Sequence, residues 1–110
     1  MALSVAETRW LAAYKSALLE KYPRLLLRMA LFGSKARGDD HSDSDLDILV
    51  IVKDDALRLK REMRRIGYLL AATGEAVPSI LVYTESEWQA RKQSRSPFRQ
   101  AVERDEVRLQ

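Results

Sequence analysis

Apolar residues in this chain gather into three strand-length runs, with helix-spaced patterns before and between them. Leu25 to Phe32 (LLLRMALF) is interrupted only by Arg28, and is dense enough to be buried on both faces of a sheet. Asp45 to Val52 is the second run. Val77 to Tyr83 is the third, where Pro78 suits a strand start or an edge. Ahead of the first strand, Ser4-Val5-Ala6-Glu7 reads as a capping box. Leu11, Tyr14 and Leu18 then recur at helical spacing, and Tyr22-Pro23 ends that helix. Residues 35–43 are polar, with room for a short helical turn. Asp54 or Asp55 is expected to cap a long helix through about Thr73, with Leu59, Met63, Ile66 and Leu70 as its apolar stripe and Gly74 as its stop. Thr84-Glu85-Ser86-Glu87 is a second capping box, opening a helix that holds Trp88. Ser96-Pro97 starts a final short helix, and Val107 to Leu109 adds a last short strand.

This order predicts one domain, residues 1–110, of the α/β (α+β) class: a small sheet flanked by helices. Only about ten residues join the first two strands, whereas a parallel crossover needs a dozen or more. An antiparallel pair is therefore expected, with the end of the first strand beside the start of the second. Trp10, Tyr14 and Trp88 sit at helical positions suited to core or interface packing.

Composition narrows the function classes. A 46% hydrophobic and 32% charged chain fits a soluble globular domain. The 19 basic residues exceed the 16 acidic ones by too little to predict nucleic acid. Absence of cysteine excludes disulfides and thiolate metal sites, and makes the cytoplasm the natural location. No apolar run approaches the ~20 residues of a membrane span, and MALSVAETRW lacks the features of a signal peptide.

The candidate chemistry lies in residues 31–52, LFGSKARGDDHSDSDLDILVIV. Gly33 lacks a Cβ, so its backbone can approach a phosphate, and the N–H groups that follow can form an anion nest. Ser34 adds a hydroxyl donor. Asp45 and Asp47, at i and i+2 of a strand, project from one face with Leu46 and Ile48 directed into the core. Two carboxylates so close repel unless a cation neutralises them. Mg²⁺ takes such oxygen ligands together with substrate phosphates, and two ions about 4 Å apart would suit an in-line displacement. Lys35 and Arg37 could add phosphate contacts. Arg37 could equally pair with Asp39, Asp40 or Asp43, and that structural role is the favoured one.

GSKARGDDHSDSDLD resembles the signature of the DNA polymerase β-like nucleotidyltransferase superfamily, and most closely its minimal nucleotidyltransferases, domains of about this length. Gly33, Ser34, Ala36, Arg37, Gly38, Ser44, Asp45, Leu46 and Asp47 carry the match. The ending SPFRQAVERDEVRL is similar to the tail of some small members. The resemblance implies a small mixed sheet flanked by helices, and Mg²⁺-dependent transfer of a nucleoside monophosphate from an NTP, usually ATP, to an acceptor. Asp45 and Asp47 would be catalytic metal ligands, with Gly33, Ser34, Lys35 and Arg37 beside the nucleotide. It also implies a toxin–antitoxin setting with a HEPN-type partner, in which a partner hydroxyl would accept AMP. A homo-oligomer stays open. The superfamily's third carboxylate belongs on the next core strand, where this chain has Ser79. The alternative is therefore a non-catalytic nucleotide-binding subunit that neutralises its partner by binding, unless Glu75, Glu85 or the partner supplies the acid.

Other polar groups have plainer readings. Asp39, Asp40 and Asp43 fit a solvated loop, and His41 a surface position. Arg58, Lys60, Arg61, Arg64 and Arg65 form a basic helix face without the interleaved aromatics of a base-stacking platform. Arg91, Lys92, Arg95 and Arg99 form a second basic cluster, compatible with triphosphate steering but read first as surface.

Overall fold

The computed structural model describes residues 3–39 and 45–110. Helix α1 (Val5–Lys21) starts at the expected capping box: Glu7 N–H donates to the Ser4 hydroxyl and Ser4 N–H to the Glu7 carboxylate. Strand β1 (Leu26–Phe32) leads straight into the one-turn helix α2 (Gly33–Arg37). Strand β2 (Leu46–Val52) follows, and then a 3₁₀ segment (Asp54–Leu59) runs into α3 (Lys60–Ala71). The remainder is β3 (Pro78–Thr84), α4 (Glu85–Gln93), α5 (Pro97–Asp105) and β4 (Val107–Arg108).

The four strands form one mixed sheet in the order β3-β2-β1-β4, flanked by helices. β1 and β2 are antiparallel as their short link requires, with Phe32 opposite Asp47. β2 and β3 are parallel, joined through α3. An extra residue in β1, between Leu26 and Arg28, makes a bulge. It puts Leu26 on the same face as Met29 and Leu31 and leaves Leu27 largely exposed.

Side-chain alternation divides the core in two. Met29, Leu31, Leu46, Ile48, Val50, Val52, Ile80 and Val82 point toward α1 and α3, where they meet Trp10, Tyr14, Leu18 and Met63. Leu49 and Ile51, with Phe32, Leu81 and Tyr83, point the other way, toward Trp88 of α4 and Phe98 and Val102 of α5. Trp10, Tyr14 and Trp88 are thus core residues. No helix among the described residues is long and apolar enough to cross a membrane.

The helix after β2 departs from the expected one. Its first six residues are 3₁₀, and no side chain caps α3. Asp54 instead accepts hydrogen bonds from Ser86 N–H and the Ser86 hydroxyl, tying the segment to α4. The expected apolar stripe also shifts at its end. Leu70 is 42% exposed, and Gly67 takes the core position. A Cβ there would come within 3.0 Å of the Tyr14 ring, and the Gly67 carbonyl accepts from the Trp10 indole at 2.8 Å. The helix packs this tightly on α1 because residue 67 has no side chain.

Candidate functional site

The end of β1 and the start of β2 meet as the sequence predicts. Gly33 follows Phe32 directly, and Phe32 is the ladder partner of Asp47. Gly33 has φ +75°, a left-handed conformation that side chains rarely adopt. A Cβ at this position would run into the Asp47 carboxylate. The glycine therefore permits both the turn and the close approach of the two segments. Ser34, half-buried, occupies the next position in the first turn of α2.

Asp45 is exposed and Asp47 half-buried, both on the sheet face that carries Leu49 and Ile51. Burial and then the Asp45 charge raise the Asp47 carboxyl above the ordinary aspartate range, and Arg37 partly offsets them. A divalent cation held between the two carboxylates would relieve their mutual repulsion.

Lys35 and Arg37 lie on different sides of the short helix. Lys35 is buried and pairs with Glu7 at 3.1 Å. One Glu7 oxygen caps α1 while the other holds Lys35, so α1 anchors the helix that begins at Gly33. Arg37 reaches Asp39 at 3.2 Å and Asp105 of α5 at 3.6 Å, in keeping with its favoured structural reading. The Glu7 and Asp105 contacts were not anticipated. Glu7 already had a local role as a cap, and nothing in the sequence marks partners 28 and 68 positions away. Asp40, His41, Asp43 and Ser44 lie outside the described residues.

Ser79 stands beside Asp47 in the parallel β2–β3 register. The carboxylates considered as substitutes are placed elsewhere. Glu85 follows the far end of β3, about 20 Å along the strand from Ser79. Glu75 lines a groove with Trp10 and Leu70, in the α1–α3 layer rather than on the Asp47 face. Among the described residues, no group of three or more histidine, cysteine, aspartate or glutamate side chains is placed to share a metal ion.

Comparison with known proteins gives the same direction. A crystal structure from Sulfolobus solfataricus, described as a candidate nucleotidyltransferase, superposes with a TM-score of 0.50 at 21% identity, covering 98% of this chain and 88% of that one. At that identity the likeness concerns the fold. No curated protein matches the chain significantly. The family model for the nucleotidyltransferase domain matches residues 11–105, which takes in both the glycine-serine turn and the aspartate pair. By that match the chain belongs to the nucleotidyltransferase domain family.

Proposed function

We propose that this domain transfers a nucleoside monophosphate, AMP from ATP, to a hydroxyl of a partner protein. The setting we infer is that of the minimal, antitoxin-type nucleotidyltransferases, with a HEPN-type toxin as partner. The observation that carries the reading is the packing of Gly33 against Asp47, which sets a phosphate-accessible turn beside two carboxylates.

Asp45 and Asp47 would hold Mg²⁺, whose chemistry there is to neutralise their charge and that of the triphosphate. Their fit rests on two hard oxygen donors on one strand face, one of them raised in pKa by burial and then by the charge of the other. Ser34 and the backbone N–H groups at the start of α2 would orient the phosphate oxygens. The acceptor oxygen attacks the α-phosphorus in line. A new P–O bond forms, the bond to the bridging oxygen breaks, and pyrophosphate leaves. The acceptor proton passes to water, because Ser79 offers no base beside Asp47. A positioned base contributes about 10²–10⁴-fold, so slow turnover is expected.

Ser79 also favours a second reading, in which the domain binds Mg-ATP and neutralises its partner without transfer. Incubation with α-labelled ATP, Mg²⁺ and the product of the neighbouring gene distinguishes the two. Label on the partner, lowered at least about a hundredfold by Asp45→Asn or Asp47→Asn, is the expected result. Saturable ATP binding with no label on the partner would replace the first reading with the second.

A further inference from the structure

We propose that the turn between α4 and α5 forms a second anion site, one that takes a polyphosphate without metal. Arg91, Lys92, Arg95 and Arg99 converge on a cavity of about 360 Å³, with Ser96 and a single acid, Glu103, in its wall. Glu103 is already engaged by Arg28 at 3.0 Å and by Arg99 at 3.2 Å. Neither the Lys92 ammonium nor the Arg95 guanidinium has a carboxylate partner among the described residues. The cavity therefore carries excess positive charge.

Two of the cations are held in place before any ligand arrives. Arg91 lies over the rings of Tyr83 and Phe98, at 5.0 and 5.4 Å, and donates to the Ser96 hydroxyl. Arg99 lies 5.0 Å over the Trp88 ring and donates to the Trp88 carbonyl. Stacked guanidinium groups lose little freedom when their remaining N–H edges bind, and their planar forks match phosphate oxygens.

The backbone supplies an independent indication. Ser96 N–H bonds to the Arg91 carbonyl and Arg95 N–H to the Lys92 carbonyl, the two bonds of a Schellman turn. The residue at its left-handed position is ordinarily glycine. Here it is Arg95, with φ 56°, the one non-glycine residue with positive φ among those described. A strained conformation is kept at the position whose side chain lines the cavity, the pattern expected where that side chain has a use.

Several cations around one small cavity call for a ligand with comparable negative charge. A single carboxylate would leave them repelling one another, whereas a di- or triphosphate would not. Phe98 packs on Phe32 at 5.6 Å and under Arg91 at 5.4 Å, and none of the residues lining the cavity belongs to the Gly33–Asp47 turn. The cavity is thus distinct from the Gly33–Asp47 turn, and its occupancy does not depend on nucleotidyl transfer.

Calorimetric titration with inorganic tripolyphosphate in EDTA tests the site, because without metal Asp45 and Asp47 repel that ligand. Saturable binding is expected. Arg95→Gly should weaken it about tenfold or more, while thermal stability is kept or raised because glycine suits the turn. Lys92→Gln should weaken it several-fold. A parallel titration with ATP in EDTA separates the sources: equal affinity assigns recognition to the phosphates alone, and tighter binding adds a nucleoside contact. No saturable binding, or Arg95→Gly and Lys92→Gln proteins that bind as tightly as the parent, would overturn the proposal.

Discussion

The two faces of the sheet are built to different standards of closure. Toward α1 and α3, strand side chains such as Leu31, Ile48, Val50 and Val52 are fully buried, and two polar tips that enter find carbonyl partners: the Tyr14 hydroxyl donates to the Met63 carbonyl at 2.9 Å and the Trp10 indole to the Gly67 carbonyl at 2.8 Å. Toward α4 and α5 the cover is a smaller aromatic cluster, and Phe32, Leu81 and Tyr83 are only partly buried. The same alternation that sends Leu49 and Ile51 under that cluster brings Asp45 and Asp47 out at the uncovered end of β2. The proposed site lies there because, among the described residues, the second layer is incomplete, while the first layer buries the opposite face of the same strands.

Truncations on either face measure that difference. Ile48→Ala opens a cavity in the closed layer and is expected to cost about 2–5 kcal/mol. Leu81→Ala, on the adjacent strand and the opposite face, removes a side chain that water already reaches, and should cost ~1 kcal/mol. Urea denaturation of the two variants gives the comparison directly. Equal losses would show that the α4–α5 layer is as tightly closed as the other.

A smaller effect is expected at the junction of the two regions. Gly33→Ala places a side chain at φ +75° and against the Asp47 carboxylate. The backbone strain alone is worth about 1–2 kcal/mol, and the clash, which is with the carboxylate tip, turns the Asp47 side chain away from the bend. The expected outcome is moderate destabilisation together with loss of Mg-ATP binding, read by denaturation and calorimetry on the same sample. Binding kept at the parental level would mean that the close approach of Gly33 and Asp47 is not what admits the nucleotide.

How much of this was legible in the sequence followed the range of the interactions. Ser4 with Glu7, and Thr84 with Glu87, were readable because a capping box closes within three residues. The antiparallel β1–β2 pair followed from the length of its link, and with it the meeting of Gly33 and Asp47. The start of α3 was misjudged because Asp54, a good cap by local rules, has a better offer from Ser86, 32 residues away. Leu70 fitted the helical period, yet the tight Gly67 contact with Tyr14 and Trp10 sets which turn faces the core. The Lys35–Glu7 pair was invisible because nothing local ties a lysine after a glycine-serine turn to a carboxylate on the facing helix. Ser79 was picked out by resemblance. Its adjacency to Asp47 depends on the parallel β2–β3 register, which no local pattern in the chain specifies.

The smallest effect concerns the charge at Asp47 itself. Its carboxyl titrates above the ordinary aspartate range in the folded chain, chiefly through burial and then through Asp45. Well below the ordinary aspartate value of about 4, both folded and unfolded chains carry the proton, and the group contributes nothing to the balance. As pH rises through the ordinary value, the unfolded chain ionises first while the folded chain keeps its proton. Stability therefore falls until the raised folded value is passed, and is level above it. Asp47→Asn keeps the shape and removes the charge. In EDTA the variant should match the parent at the acid end and exceed it at neutral pH, by no more than about 1 kcal/mol because a half-exposed carboxylate is screened by water. Added Mg²⁺ should narrow or reverse that gap by stabilising only the parent. Denaturation curves that stay parallel across the acid range, and do not respond to Mg²⁺, would show that the open end of β2 carries no electrostatic penalty for a cation to relieve.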